Sequence, residues 1–233
     1  MQNKKIAIMV AMDKELATFQ TYLSNVMKTE DGKRLIIQGN LGNNEIILAK
    51  GGIGKTAAGS FVTTIIERYH PDYVINMGIA GGYDRKLKPL DIVIATAALY
   101  YDVDMTSDEF SKVQYGQLEE MPLLFKSSQE LLDLVETTDT TINFGYIATG
   151  DQFVTDYQHV NEIVKKHFSD LPIVAFDMES AAILHVCYLH QIPCLIVRSI
   201  SDIIGSTNAI DYEVFSKTAS QKASELVKKM LTL

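Results

Sequence analysis

The sequence predicts an α/β fold in a single domain, 1–233: a mixed, mainly parallel, twisted sheet with helices on both faces. Two observations carry this expectation. Short apolar runs alternate along the chain with segments of helical periodicity, the pattern of strands joined by crossover helices. No Pro/Gly/Ser-rich linker, internal repeat or low-complexity tract divides the 233 residues, which is enough chain for one large core.

Taken in order, strands are expected at 6–11, 34–39, 45–50, 73–77, 91–95, 142–149, 173–176 and 195–199. The first is a run of six apolar residues from Ile6 to Ala11, too short for a signal-peptide core or a membrane span. Gly39-Asn-Leu-Gly-Asn-Asn44 has the chemistry of a hairpin between the second and third. Helices are expected at 14–25, 56–70, 127–136, 157–167, 179–190 and 211–231. The last has apolar spacing at Phe215, Ala219, Ala223 and Leu226, with Lys228 and Lys229 near the end where cations suit the helix dipole. Residues 100–124 carry no clear element. Loops of that length are usually functional or covered by a partner, and Tyr100, Tyr101, Met105, Phe110, Tyr115 and Met121 suit an interface that helps close a pocket.

Composition narrows the function. The net charge is −8 with no basic run, so nucleic acid and anionic membranes are poor partners. Cys187 and Cys194 fall in segments that read as buried, which suits free thiols in a reducing cytoplasm. His159, His167, His185 and His190 show no metal-ligand spacing, so neither a metal nor a cofactor is expected.

The chemistry gathers where strands end. The strand at 173–176 runs into Asp177-Met-Glu-Ser180, and the strand at 195–199 into Arg198-Ser-Ile-Ser-Asp202. Ligands of open α/β sheets sit at such carboxyl ends. Charges beside apolar runs need partners or a task. As pure structure they would form an Arg198–Asp202 or Arg198–Glu179 ion pair. Gly51-Gly-Ile-Gly-Lys-Thr56 opens a helix in the manner of a phosphate loop, but position 49 is Ala and no acid ends the strand at 73–77. What survives is a glycine turn at a helix N-terminus, tolerant of anions or hydroxyls. Gly78-Ile-Ala-Gly-Gly82 reads as another strand-terminal glycine turn, which lets a ligand approach the backbone. Asp13 and Glu15 stand in a first helical turn, where the macrodipole favours acids, and Glu15 also projects toward the same rim. Thr149-Gly-Asp-Gln-Phe-Val154 brings an aromatic there. Acids, one arginine, exposed aromatics and no metal set point to a nucleoside as ligand.

These pieces, in order, resemble the 5′-methylthioadenosine/S-adenosylhomocysteine nucleosidases of the nucleoside phosphorylase superfamily over essentially the whole chain. The matching segments are Ala11-Met-x-x-Glu15, Gly52-Ile-Gly-Lys55, Asn76-x-Gly-x-Ala-Gly-Gly82, Tyr115-Gly-Gln117, Thr149-Gly-Asp-x-Phe153, Asp177-Met-Glu179 and Arg198-x-x-Ser-Asp202. The resemblance implies a nucleoside phosphorylase-like fold and hydrolysis of an adenine nucleoside by water. By position it implies that Glu15 activates the water, that Arg198 places it, and that Asp202, supported by Ser201, is the acid at adenine N7. Glu179 would bind the ribose hydroxyls and Met178 would pack beneath the sugar. Phe153 would stack on the base, Val154 would bond it through its backbone, and Tyr212 would stand at the mouth where a Phe is usual. Met12, Ile53, Ile79 and Asp177 complete the implied lining, with Met105 and Phe110 from the long loop. A homodimer joined through the loop from Tyr101 to Met121 is also implied, as is a place in methionine salvage.

Such chemistry asks for these side-chain types. Cleavage builds oxocarbenium character on the sugar and negative charge on the leaving base. The acid at the base must stay protonated near neutrality, and the base acting on water must be ionised. Against the family pattern, Ile79 replaces a Ser, Asp177 a Glu and Tyr101 a His, and the loop after Thr106 is about three residues longer. Two other readings share the sequence features. A purine nucleoside phosphorylase would need more basic residues about the glycine turns, and a non-catalytic nucleoside-binding protein would need neither Glu15 nor Asp202.

Overall fold

The computed structural model describes residues 3–32, 34–106, 112–138, 142–206 and 208–232, with the backbone alone at 208–211. The chain opens with β1 (Lys5–Val10) and α1 (Asp13–Gln20), followed by β2 (Ser24–Asp31), β3 (Arg34–Leu41) and β4 (Asn44–Lys50). Next come α2 (Lys55–Tyr69), β5 (Tyr73–Gly82), β6 (Ile92–Tyr100), β7 (Phe125–Lys126) and α3 (Gln129–Glu136). The last third alternates β8 (Asn143–Thr149), α4 (Tyr157–His167), β9 (Ile173–Asp177), α5 (Ser180–His190), β10 (Cys194–Ile203) and α6 (Asn208–Thr232).

The sheet is mixed. Parallel pairings run through its centre, β4–β1–β5–β10 and β6–β8–β9, while antiparallel pairings add the edge β2–β3–β4. Two further antiparallel pairings, β10 with β6 and β9 with β5, close β5, β10, β6, β8 and β9 into a ring. Helices cover both faces. Phe61, Val62 and Ile65 of α2 pack with Ala181 to Leu184 of α5 on one side. Leu16 and Phe19 of α1, Leu131 and Val135 of α3, and Ala223, Val227 and Met230 of α6 pack on the other. β1 lies between these layers, and Ile6 to Val10 are buried throughout, as a parallel strand covered on both faces must be.

The elements differ from expectation in four places. α1 ends at Gln20, and Ser24–Asp31, partly expected as helix, forms β2 instead; Asn25 adopts φ 53°. Its residues are almost all exposed, so pairing with β3 holds it in place and no buried face marks it in the sequence. Gly78 to Gly82 is strand, not turn, pairing with β10 and β9. β6 and β10 run about as far beyond their expected ends. The described parts of the long loop make contacts with their own chain. Tyr115 stacks on His167 with ring centroids 3.9 Å apart, and Met121 packs on the core. Gly116, at φ 84°, leaves no room for a β-carbon, which would stand 2.5 Å from the Tyr100 carbonyl. Tyr101 is a core residue against Phe176, ring centroids 5.0 Å apart. Cys187 and Cys194 are buried free thiols. No described helix is long and apolar enough to cross a membrane.

Candidate active site

A cavity opens where β1, β5, β8, β9 and β10 end, and side chains from each reach it. Directly after β1, the first turn of α1 carries Glu15, which is 1% exposed. Its Oε2 accepts hydrogen bonds from the Ala11 and Met12 amides, both at 2.9 Å. Oε1 points toward Gly78 of β5, 3.0 Å from the place a β-carbon there would occupy, and Arg198 Nη1 is 3.4 Å from the same point. A glycine on β5 thus lets the carboxylate and the guanidinium meet at one spot. Burial pushes the Glu15 carboxyl above the usual range, against the pull of the Met12 amide and of Arg198.

Arg198, 1% exposed, is held on every side. Nε and Nη2 approach Asp177 Oδ2 at 3.0 and 2.8 Å. Nη2 also donates to Asn76 Oδ1 at 2.5 Å and to Ser180 Oγ at 2.9 Å. Asp177 in turn accepts from Thr149 Oγ1 at 2.6 Å, and from the Ser180 hydroxyl and amide. The buried ion pair is therefore Arg198–Asp177, and neither Asp202 nor Glu179 is the partner. Asp177 does line the cavity, but its two oxygens are taken by protein donors. Asn76, fixed by donating to the Met9 carbonyl at 2.9 Å, completes the support.

A β-bulge aims Asp202. Between the pairs Ile200–Ala80 and Asp202–Gly81, Ser201 is one residue extra. Regular alternation would place Asp202 on the face of Arg198 and Ile200; the added residue turns it to the other. The Ser201 hydroxyl lies 2.5 Å from Asp202 Oδ1, and Asp202 is buried at the cavity wall. Glu179, directly before α5, accepts from the Gly54 amide at 3.0 Å. Burial, and then the Asp177 carboxylate, push it up to about 7. Met178 lies beside it in the wall.

The mouth is apolar. Phe153 and Tyr212 meet edge to face, ring centroids 5.3 Å apart, and the Tyr212 hydroxyl lies 3.6 Å from Met12 Sδ. Ile53, Ile79 and Val154 also line the cavity. The structure thus brings together Met12, Glu15, Ile53, Ile79, Phe153, Val154, Asp177, Met178, Glu179, Arg198, Ser201, Asp202 and Tyr212. Met105 stands outside this lining and is exposed, and Phe110 lies outside the described residues. Phe176 and Ile204 are lining residues not expected from the sequence, and Asn76 is expected only as part of a matching segment, without a place in the site. For Asn76 a signal existed, as it is a lone amide inside the apolar run Tyr73-Val-Ile-Asn-Met77. Among the described residues, Arg198 is the one basic side chain in the lining, and no group of three or more His, Cys, Asp or Glu could hold a metal ion.

Comparison with known proteins sets the class. The family model of the phosphorylase superfamily matches residues 5–232. A 5′-methylthioadenosine/S-adenosylhomocysteine nucleosidase of Psychromonas ingrahamii is 37% identical over 232 residues, covering 97% of this chain and 98% of that one. The crystal structure of such a nucleosidase from Colwellia psychrerythraea, in complex with adenine, superposes with a TM-score of 0.91 at 33% identity, covering 99% and 96% of the two chains. The Neisseria meningitidis nucleosidase in complex with methylthio-immucillin-A gives 0.92 at 32% identity, covering 99% of this chain and all of the other. The chain belongs to the 5′-methylthioadenosine/S-adenosylhomocysteine nucleosidase family of the phosphorylase superfamily.

Proposed function

We propose that the protein hydrolyses the N-glycosidic bond of 5′-methylthioadenosine, S-adenosylhomocysteine or both, releasing adenine and a 5-thio-substituted ribose. The observation that carries this is the convergence of Glu15 Oε1 and Arg198 Nη1 over Gly78, with the bulge-aimed Asp202 in the same cavity. In this reading Glu15 removes a proton from water that Arg198 helps to place. Two amides anchor one carboxylate oxygen and leave the other for the proton, and a raised pKa suits a base working near neutrality. Asp202, oriented by Ser201, protonates adenine N7, so that the base leaves without full negative charge. Glu179, steadied by the Gly54 amide, takes the ribose hydroxyls, and Met178 lies against the sugar. Phe153 stacks on the base, Val154 bonds it through its backbone, and Tyr212 covers the mouth.

Water rather than phosphate is supported by the charges. The lining cation, Arg198, is already neutralised by Asp177, and Glu15 would repel an anion at the same spot. Incubation with methylthioadenosine, with and without phosphate, tests the reading. Free methylthioribose formed without phosphate is expected; a sugar 1-phosphate, or strict dependence on phosphate, overturns it.

The reading includes a homodimer. Ile53 at the cavity rim is 58% exposed, Met105 faces solvent nearby in sequence to the buried Tyr101, and Tyr188 and Leu189 of α5 are each more than half exposed. α5 packs beside α2, which Ile53 precedes, so one face of the sheet carries this exposed apolar surface. A second copy would cover it.

A further inference from the structure

We propose that Lys55, Asp102 and Asp151 form a clamp that positions Glu179 and the Phe153 loop together, and so sets the sugar and base ends of the site as one unit. The proposal rests on the nucleosidase reading.

The clamp joins three separate stretches. Lys55 Nζ sits 2.8 and 2.6 Å from the two oxygens of Asp102, just beyond β6. The Lys55 amide, at the start of α2, donates to Asp151 Oδ1 at 2.8 Å. The Asp151 amide donates to Asp102 Oδ2 at 3.0 Å, which closes the triangle. Two of the three corners lead to the cavity. Gly54, next to Lys55, donates to Glu179, and Asp151 precedes Gln152 and Phe153 by one and two residues.

The turn needs outside support. Gly52 and Gly54 adopt φ 88° and 94°, a region that only glycine enters at little cost, so the turn has little stiffness of its own. Nor could a side chain serve at Gly54, where a β-carbon would stand 3.0 Å from Asp151 Oδ1. Orientation of the Gly54 amide is therefore set one residue away, by the bonds of Lys55. The lysine that gives this segment its likeness to a phosphate loop has its ammonium committed to Asp102, and the helix N-terminus is filled by two carboxylates of the protein itself. Lys55 and Asp102 side chains are 23% and 22% exposed, so the screened pair adds little to stability. Its effect belongs to the geometry of the site.

The test is a comparison of Lys55→Met, Lys55→Arg and Asp102→Asn with the unsubstituted protein on methylthioadenosine. Turnover by the unsubstituted protein checks the nucleosidase reading first and separately. Lys55→Met and Asp102→Asn should each lower kcat/KM by about tenfold, as a loosened but present group does. Loss of a firm Gly54 bond disfavours ionised Glu179, which Asp177 and Glu15 also oppose and Arg198 favours. The acidic limb of the pH profile should then move upward in both variants, and Lys55→Arg should restore it. A lowered melting temperature with unchanged kcat/KM and an unmoved limb would reduce the clamp to a surface ion pair and overturn the proposal. Should Lys55→Met fail to fold, Asp102→Asn alone decides by the same two readouts.

Discussion

Asp177, the last residue of β9, and Arg198, in the middle of β10, meet although their strands are not paired with each other, Nη2 to Oδ2 at 2.8 Å, with their side chains 2% and 1% exposed. Such a pair adds little net stability, because desolvation offsets the attraction, yet leaving one member alone is costly. Asp177→Ala should therefore lower unfolding free energy by about 3–5 kcal/mol, read from urea midpoints at constant slope. A loss below about 1 kcal/mol would mean that Asn76 and Ser180 suffice to hold the guanidinium.

Loss of the two acids should act on rate and spare binding. Glu15→Gln and Asp202→Asn are each expected to cut turnover by at least about a hundredfold, with KM changing far less. Steady-state kinetics on methylthioadenosine checks both. Near-normal turnover in either variant removes the assigned function from that residue.

Glu15 also predicts a pH dependence, whose sign follows from burial. Its folded-state pKa is raised, so the stability associated with the protonated form is present at low pH and is lost as pH rises through the folded value. At neutral pH, Glu15→Gln should unfold at a higher temperature than the parent, and the gap should close as the solution is acidified. Activity moves the other way. The acidic limb of kcat/KM should lie above the ordinary carboxylate range, since the base must be ionised to act. Melting curves and rate profiles over the same pH series measure the two trends together.

Ile79 lines the cavity without a hydroxyl to offer. One added hydrogen bond is worth roughly 0.5–1.5 kcal/mol, so Ile79→Ser should raise kcat/KM by about two- to tenfold. A clear fall would show that the site is built around the apolar side chain and favours a different 5′ group.

Light scattering after size exclusion should give the mass of a dimer at micromolar concentration. Leu189→Glu, a charge on the exposed apolar face of α5, should shift it toward monomer and raise KM. A monomeric parent defeats the dimer, and a variant that stays dimeric places the contact elsewhere.

Periodicity made the helices and most central strands legible, because Ile6 to Val10 or Phe61, Val62 and Ile65 are marked by what they bury. β2 carries no such mark, as its residues face solvent and its position depends on β3. Gly78 to Gly82 resembles a turn by composition and becomes strand through partners about a hundred residues away. The acids and Arg198 were visible as charges beside apolar runs. Their pairing was not, since Asp177, Asn76 and Ser180 come together only through the ring, and the bulge at Ser201 exists only as a register between two strands.

The closed ring ties catalysis to the order of folding. β5 and β10 are separated by more than a hundred residues, yet they carry Gly78 and Arg198 side by side, so closure of a very long loop precedes the site. Contacts of this range slow folding. β10 is also among the last strands that a ribosome delivers, so a nascent chain lacking it holds Glu15 and Gly78 without Arg198 or Asp202. Truncation before β10 should leave a protein with no turnover at all, and refolding followed by enzymatic activity should report closure of the ring itself.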